Sequence, residues 1–481
     1  MGSPSESRSD PDKYPGAFGR LHRFYRGSLY QILALGLVSF TQPGIWSALS
    51  NLGAGGLASP FFVNASNVIT FAIMVFGSPI TAVIANRFSL KWVLVGFYFL
   101  AQPHADCLLL HFGHLNPQLL WGIPKPRSVD STVNSLFSLS YFQSSILYGR
   151  LIPSTVSIWI SLNKLGSIIA SSIQLALNMD NDQQGSISPN TFLVLIALQC
   201  LGLPLALTIA PIDKLIRTDG TKPQFASRKT PFKEGFKRFW GVCKQQRIYL
   251  LVPSFLSAQW AATYQGMYLV SYFTVRGRTL AGFIISILSV AIDLWFGWLL
   301  DTKLFTNRRS ITARVTWLII VLSFTATFIY NFVLEVEFSR TKPALDIDSP
   351  DYGRAVAVYC LYRIGYETVS IWLFWLLGTF DSDVDTLAHS TALLNSGQSL
   401  GSALAFAVGS VPSVSMLNNL IISAVVLWAS VPTTTWSAWK VKDEEITLSE
   451  RTDEESGDGS GSGKESIDGA VAVNIGELKS A

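Results

Sequence analysis

The sequence predicts an all-α integral membrane protein built from two groups of about six spanning helices. Three observations carry this. Of 481 residues, 49% are hydrophobic and 12% aromatic, yet only 14% are charged, against roughly 25% in soluble domains. The apolar residues gather into runs of about twenty, the length at which a helix crosses a hydrocarbon core of ~30 Å. Lys and Arg concentrate in alternate connections, as they do on the cytosolic side of multi-pass proteins.

The spans run about Ser28–Ser50, Asn67–Ala85, Trp92–Phe112, Ser154–Leu177 and Phe192–Ile212 in the first half. In the second half they run about Tyr249–Val270, Leu280–Leu300, Val315–Leu334, Ala355–Leu377, Thr391–Val411 and Leu417–Trp436. A fourth span is expected between Leu115 and Tyr148, and there the pattern fails. Pro124, Lys125, Pro126, Arg127 and Asp130 interrupt it, and such residues do not cross lipid cheaply. Two explanations stand for 122–148: a retained intron or mispredicted exon, or a real insertion beside a degraded helix.

The resulting divisions are a cytosolic N-terminal tail (1–27), an N-terminal bundle (28–212), a basic central loop (213–247), a C-terminal bundle (248–439) and an acidic tail (440–481). The acidic tail is too polar to bury a core and is expected to be disordered. Arg20, Arg23, Arg26, Arg87, Lys91, the central loop, Arg308 and Arg309 fall on one side if both termini are cytosolic. Arg276 and Arg278 run against that rule. The N-terminus has no apolar core of a cleavable signal, and Glu6 spoils the Met1-Gly2 myristoylation pattern.

Several function classes fall away. A net charge of +4 gives no reason to expect nucleic acid, and the four cysteines are too far apart for a zinc or disulfide framework. No Ser-His-Asp, His-Glu-x-x-His or paired-cysteine pattern argues for an enzyme. Gly53-x-Gly55-x-x-Ala58 loosely matches a dinucleotide loop, but it follows a membrane span and the next acid is Asp106, so no cofactor is expected. Gly53, Gly55 and Gly56 instead stop the first span and permit positive φ for the turn. Pro43 and Gly44 are placed to bend that span.

Polar residues within spans carry the remaining information, because each is costly there. Arg363 and Glu367 are spaced i,i+4 and share a helix face; they read as a neutral structural pair or as an anion or proton site. Gln259, Tyr264 and Gln265 read as interhelical hydrogen-bonding groups or as solute contacts. Lys164 and Asp293 lie at similar depths from the same side, ~15 and ~10 Å from the span ends by helical rise, and are candidates for an ion pair between the halves. Gly397, Gly401, Ala405 and Gly409 form a small-residue stripe for close helix packing. Asn64, in Asn64-Ala65-Ser66, is the one glycosylation pattern, close enough to the second span to be poorly used.

The two halves echo each other. Gly77, Asn86 and Arg87 after the second span match Gly297, Asp301, Arg308 and Arg309 after the eighth. The short polar residue in each turn could cap the next helix or pair with nearby Arg. Equivalent placement in each half suggests a parallel repeat.

This arrangement resembles the major facilitator superfamily, and more specifically its uncoordinated-93-like branch of fungi and plants. The stretches that carry the resemblance are "GLVSFTQPGIWSALSNLGAGG", "LVPSFLSAQWAATYQGMYLVSYFTVRGRTLAG", "GWLLD", "FWLLGTF" and "LAHSTALLNSGQSLGSA". The resemblance implies twelve helices in two bundles, with the fifth and eighth packed across the bundles and the tenth lining a central cavity. It implies either a secondary transporter of a small solute or a non-transporting partner that regulates or escorts another membrane protein. Neither Lys164 nor Asp293 is expected from it.

Overall fold

The structure, a computed structural model, describes residues 24–25, 27–53, 56, 60–88, 153–210, 232–301, 308–380, 384–441 and 443. The expected third span, residues 122–148 and most of the two tails lie outside them. All described helices belong to one compact unit ending at Lys442. An isolated β-bridge joins Phe273 and Leu345 between helices.

In chain order, α1 comprises Ser28–Ser39, a π-helical turn Phe40–Gly44 and Ile45–Ser50. α2 is Pro60–Phe88, α3 Pro153–Asn178, and α4 is Pro189–Cys200 continued by Gly202–Leu207. α5 is Phe232–Cys243. α6 is broken into Val252–Ser257 and Ala262–Tyr272. Then come α7 (Val275–Asp301), α8 (Arg309–Thr341), α9 (Tyr352–Phe380), α10 (Val384–Gly409) and α11 (Met416–Trp439).

Local chemistry sets several boundaries. Prolines open α2, α3 and α4, where a missing N–H costs nothing. Ser415 caps α11 by accepting from the Asn418 N–H at 3.1 Å. Gly53 and Gly56 take φ of +71° and +79°, the turn conformation the sequence demands. A Cβ on Gly53 would lie 2.4 Å from the Gly266 carbonyl oxygen, so the position also permits a close approach to α6. The bend expected at Pro43 and Gly44 takes the form of the π-helical turn.

Five of the described helices are long and apolar enough, by length and composition, to cross a membrane: parts of α2, α4, α7, α8 and α11. Their apolar side chains point outward. Leu318, Leu322, Ile329 and Val333 on α8 are each 57–62% exposed, the face a bilayer would cover. Inside, small hydroxyls are buried and return their protons to their own helix. Ser289 donates to Ile285 O at 2.9 Å and Thr316 to Thr312 O at 2.6 Å. Buried charged and amide side chains come from several helices, among them Glu367 on α9, Gln174 on α3 and Gln398 on α10. Across the middle, α3 packs against α7 and α2 against α10.

The repeat motif is corrected in one place. α2 runs on to Phe88, so Gly77 is well inside the helix and Asn86 and Arg87 fall in its last turn rather than in a following loop; the side chains of the latter two lie outside the described residues. Asp301 is the last residue of α7, and the N-cap of α8 is Arg308, which makes no side-chain cap. The Asp301 side chain and the connection to α8 lie outside the described residues. Gly297 borders open space, and Arg308 and Arg309 are exposed.

The small-residue stripe lies in contact with other helices. A Cβ on Gly401 would sit 1.9 Å from Leu256 O, and one on Gly397 2.5 Å from Phe255 Cβ. Gly409 meets Thr263 and Asn64, and Ala405 is fully buried. α10 thereby wedges between α2 and the break in α6.

Candidate functional site

Lys164, on α3, lies eleven residues past Pro153, ~16 Å along the helix, and Asp293, on α7, lies eight residues before Asp301, ~12 Å. The structure brings them together: Lys164 Nζ is 3.0 Å from Asp293 Oδ2. The same ammonium is 3.1 Å from Glu367 Oε1 on α9, and Arg363 Nη2 reaches that oxygen at 2.9 Å. Two expectations formed separately, the i,i+4 pair and the inter-half pair, thus meet in one cluster of two cations and two anions. Their side chains are only 9–18% exposed, so charge balance is what makes the site tolerable in a membrane.

A polar shell fixes the cluster. Arg363 Nε donates to Ser289 Oγ at 2.8 Å and Nη1 to Asn51 Oδ1 at 3.2 Å. Asn51 Nδ2 donates to Ser286 Oγ at 3.3 Å, and Ser286 exchanges a hydrogen bond with Ser167 at 3.2 Å. Tyr359 donates to the Asn51 carbonyl at 2.9 Å. The Arg363 guanidinium also lies 5.1 Å from the Tyr366 ring. Helices α1 and α3 of the first half and α7 and α9 of the second all contribute. Asp293 Oδ1 is buried without a hydrogen-bond partner, a free acceptor at the cluster's edge.

The other candidates scatter. Gln259 sits in the α6 break and ties it to α10, donating to Gln398 Oε1 at 3.3 Å and accepting from Ser402 at 3.1 Å. These are interhelical hydrogen bonds. Tyr264 points away from the cluster, its hydroxyl 2.7 Å from Glu335 on α8. Gln265 does line a small cavity, with Ser257, Phe324, Phe328, Tyr362 and Tyr366; Tyr366 joins that cavity to the cluster. Asn64 is 4% exposed inside α2 and donates to Gly409 O at 2.9 Å, a buried position in keeping with the poor use expected of its glycosylation pattern.

The face formed by the α1–α2, α3–α4, α6–α7 and α8–α9 connections is closed between the halves. Val275 N–H donates to Gln183 O at 2.8 Å and Arg276 N–H to Asn181 O at 2.9 Å. Arg278, 1% exposed, donates to the carbonyls of Gly56 (3.3 Å) and Gly185. Arg276 pairs with Asp346, and with Asp348 at 3.0 Å. The two arginines that break the charge rule are therefore held by acceptors in place. Asp346, in the loop after α8, has its carboxyl lowered to about 2, chiefly by the hydrogen bonds from Arg276 and also by one from Thr274 at 2.8 Å.

Sequence reasoning missed Asn51, Ser167, Ser286, Ser289 and Glu335. The first four are small polar residues without charge, and their signal is too common in membrane helices to single them out. Glu335 stood just past the expected end of its span at Leu334.

No family model matches the chain. It is 27% identical over 404 residues to Notoamide biosynthesis cluster protein O' of Aspergillus versicolor, covering 81% of this chain and 84% of that one. It is 23% identical over 446 residues to an UNC93-like protein of Schizosaccharomyces pombe, covering 86% of each. Among solved structures it superposes on a POT family transporter in complex with a thioalcohol-conjugated peptide, with a TM-score of 0.59 at 13% identity, covering 85% of this chain and 96% of that one. The fold is that of the major-facilitator transporters, and the chain is similar to UNC93-like membrane proteins over most of its length, in line with the resemblance in the sequence.

Proposed function

We propose that the chain is a secondary transporter of a small solute, working by alternating access between the bundles at 28–212 and 248–439, with both termini cytosolic. The observation that carries this reading is the balanced four-charge cluster between the halves. A structural tie alone needs one pair. Here two cations share one carboxylate, Asp293 keeps an unpaired oxygen, and all four groups stay slightly exposed beside a small cavity. Such a set can exchange a partner for a solute group without leaving a charge stranded.

The closed face supports the same reading. With the halves joined through Arg278 and the α6–α7 connection, a solute would reach the cluster from the side that carries the termini. Alternation then requires the clasp to open and the halves to rock about the cluster. The reading is of a carrier rather than an enzyme, supported by the transporters among the solved structures that share the fold.

The test is uptake by proteoliposomes. A panel of small polar solutes is first screened for thermal stabilisation of the detergent-purified protein, and the hits are assayed for accumulation. Wild type should take up at least one hit, and the Arg363→Ala, Glu367→Ala double variant should bind and move it at least tenfold less. Uptake unchanged in a folded double variant would overturn the assignment of the cluster.

A further inference from the structure

Glu335 takes no part in the cluster. It lies on α8, six residues before Thr341, and is 0% exposed. Two hydroxyls reach its carboxyl: Tyr264 at 2.7 Å from Oε2 and Tyr272 at 3.0 Å from Oε1. Among the described residues no Lys, Arg or His pairs with it. The groups around it are otherwise neutral: Tyr268 on α6, 1% exposed, Tyr362 on α9, and Asn331 and Phe338 on its own helix. Arg354, at the start of α9, is engaged at the surface by Glu337 at 3.0 Å and Asp351 at 2.8 Å.

Proton counting and burial together bear on the state of this carboxyl. The Tyr264 oxygen also lies 3.1 Å from Asn331 Oδ1, and a hydroxyl has one proton to give. If Glu335 is ionised, that proton goes to the carboxylate, and the amide oxygen is left facing an oxygen with nothing to donate. If Glu335 is protonated, its O–H donates to Tyr264, whose own proton passes on to Asn331. Turning the amide over lets Nδ2 donate to the Tyr264 oxygen and leaves Oδ1 where Nδ2, which has no partner now, stands, so burial of the carboxyl decides between the two states. An unpaired carboxylate in an apolar interior is also far costlier than a neutral acid. A metal cation would face the hydrogen ends of both tyrosine donors, whereas a proton needs only one acceptor.

Both hydroxyls come from one helical segment. Tyr264 and Tyr272 both stand on the outer segment of α6, beyond the non-helical turn at Ala258–Ala261. A swing of that segment about the turn removes both hydroxyls from Glu335 together and lets water in.

We propose that Glu335 is a proton-binding site and, on the transport reading above, the seat of the coupling ion. It holds its proton while the tyrosine cage is closed and releases it when the outer segment of α6 moves away.

Infrared difference spectroscopy on the detergent-purified full chain at neutral pH tests this. The difference spectrum, wild type minus Glu335→Gln, should show one positive carbonyl band of a protonated carboxylic acid, the band that the variant loses, and no positive carboxylate band. Loss of carboxylate bands instead would overturn the proposal. Glu335→Gln, whose amide reproduces the donor and acceptor of the neutral acid, should also unfold within about 1 °C of wild type. Should that variant yield no folded protein, Tyr272→Phe keeps the carboxyl and removes one hydrogen bond to it. The acid band should then shift to higher frequency, and an unmoved band would refute the site. These readouts are independent of any solute, so a negative result here leaves the transport reading standing, and a silent uptake assay leaves the proton site standing.

Discussion

Removing Lys164 should cost more than removing Asp293, although the two form one pair. Lys164 serves two carboxylates, at 3.0 and 3.1 Å. Among the described residues it is the only ionic partner of Asp293, whereas Glu367 also has Arg363 at 2.9 Å. At an effective dielectric of ~20, a contact of 3 Å is worth about 5 kcal/mol before desolvation. Lys164→Ala thus strands Asp293, and the expected loss is about 3–5 kcal/mol. Asp293→Ala leaves Lys164 with Glu367, so its loss should be about half as large. Replacing both by Leu removes the stranded charge and leaves the Arg363–Glu367 pair whole; stability should return to within about 1.5 kcal/mol of wild type. With an unfolding entropy of ~2 cal/mol/K per residue, 1 kcal/mol moves the midpoint of a chain this long by about 1 °C. Thermal unfolding of the singles and the double in detergent therefore needs a precision of about 0.5 °C, taking a drop of about 4 °C as the central expectation for Lys164→Ala. Equal losses in the two singles that simply add in the double would refute the geometry.

Gly401→Leu should abolish monodisperse expression, because even a Cβ there would meet Leu256 O at 1.9 Å; unchanged yield by size-exclusion chromatography would speak against the close packing. Asn64→Ala should leave electrophoretic mobility unchanged, since no glycan is expected, and should lower stability by about 1–3 kcal/mol through the orphaned Gly409 carbonyl. Asp346 is held at about 2 in the folded chain, below its ordinary value of 3.8, so the ionised form is favoured by folding. Its contribution is fully present above pH ~4 and disappears as pH falls through ~2. The stability gap between wild type and Asp346→Asn should follow that course, and a gap that widens on acidification would contradict the sign.

Much of this architecture was legible because lipid imposes severe rules. Runs of apolar residues marked most spans, and glycines marked the turn at Gly53 and Gly56. Charges without an aqueous reason marked Lys164, Asp293, Arg363 and Glu367. What the sequence could not display was direction. Tyr264 and Gln265 are adjacent, yet one turns to Glu335 and the other to the cavity, because the turn at Ala258–Ala261 resets the helical phase. Asn64 looked like an acceptor for sugar because sequence does not reveal burial. The serines that support the cluster were hidden by their abundance, and Arg276 seemed misplaced until Asp346, seventy positions away, came beside it.

The clasp at the closed face differs in kind from the cluster at the centre. Arg278 grips main-chain oxygens of Gly56 and Gly185, and every residue type carries such an oxygen. Drift in those two loops can alter side chains freely while the grip survives, provided the backbone path is kept. The central cluster has no such licence, for each of its four groups is a side chain that another depends on. Among descendants of this chain, substitutions at Lys164, Asp293, Arg363 and Glu367 should arrive together or not at all, while position 278 should be inherited alone, beside loops that have diverged around it.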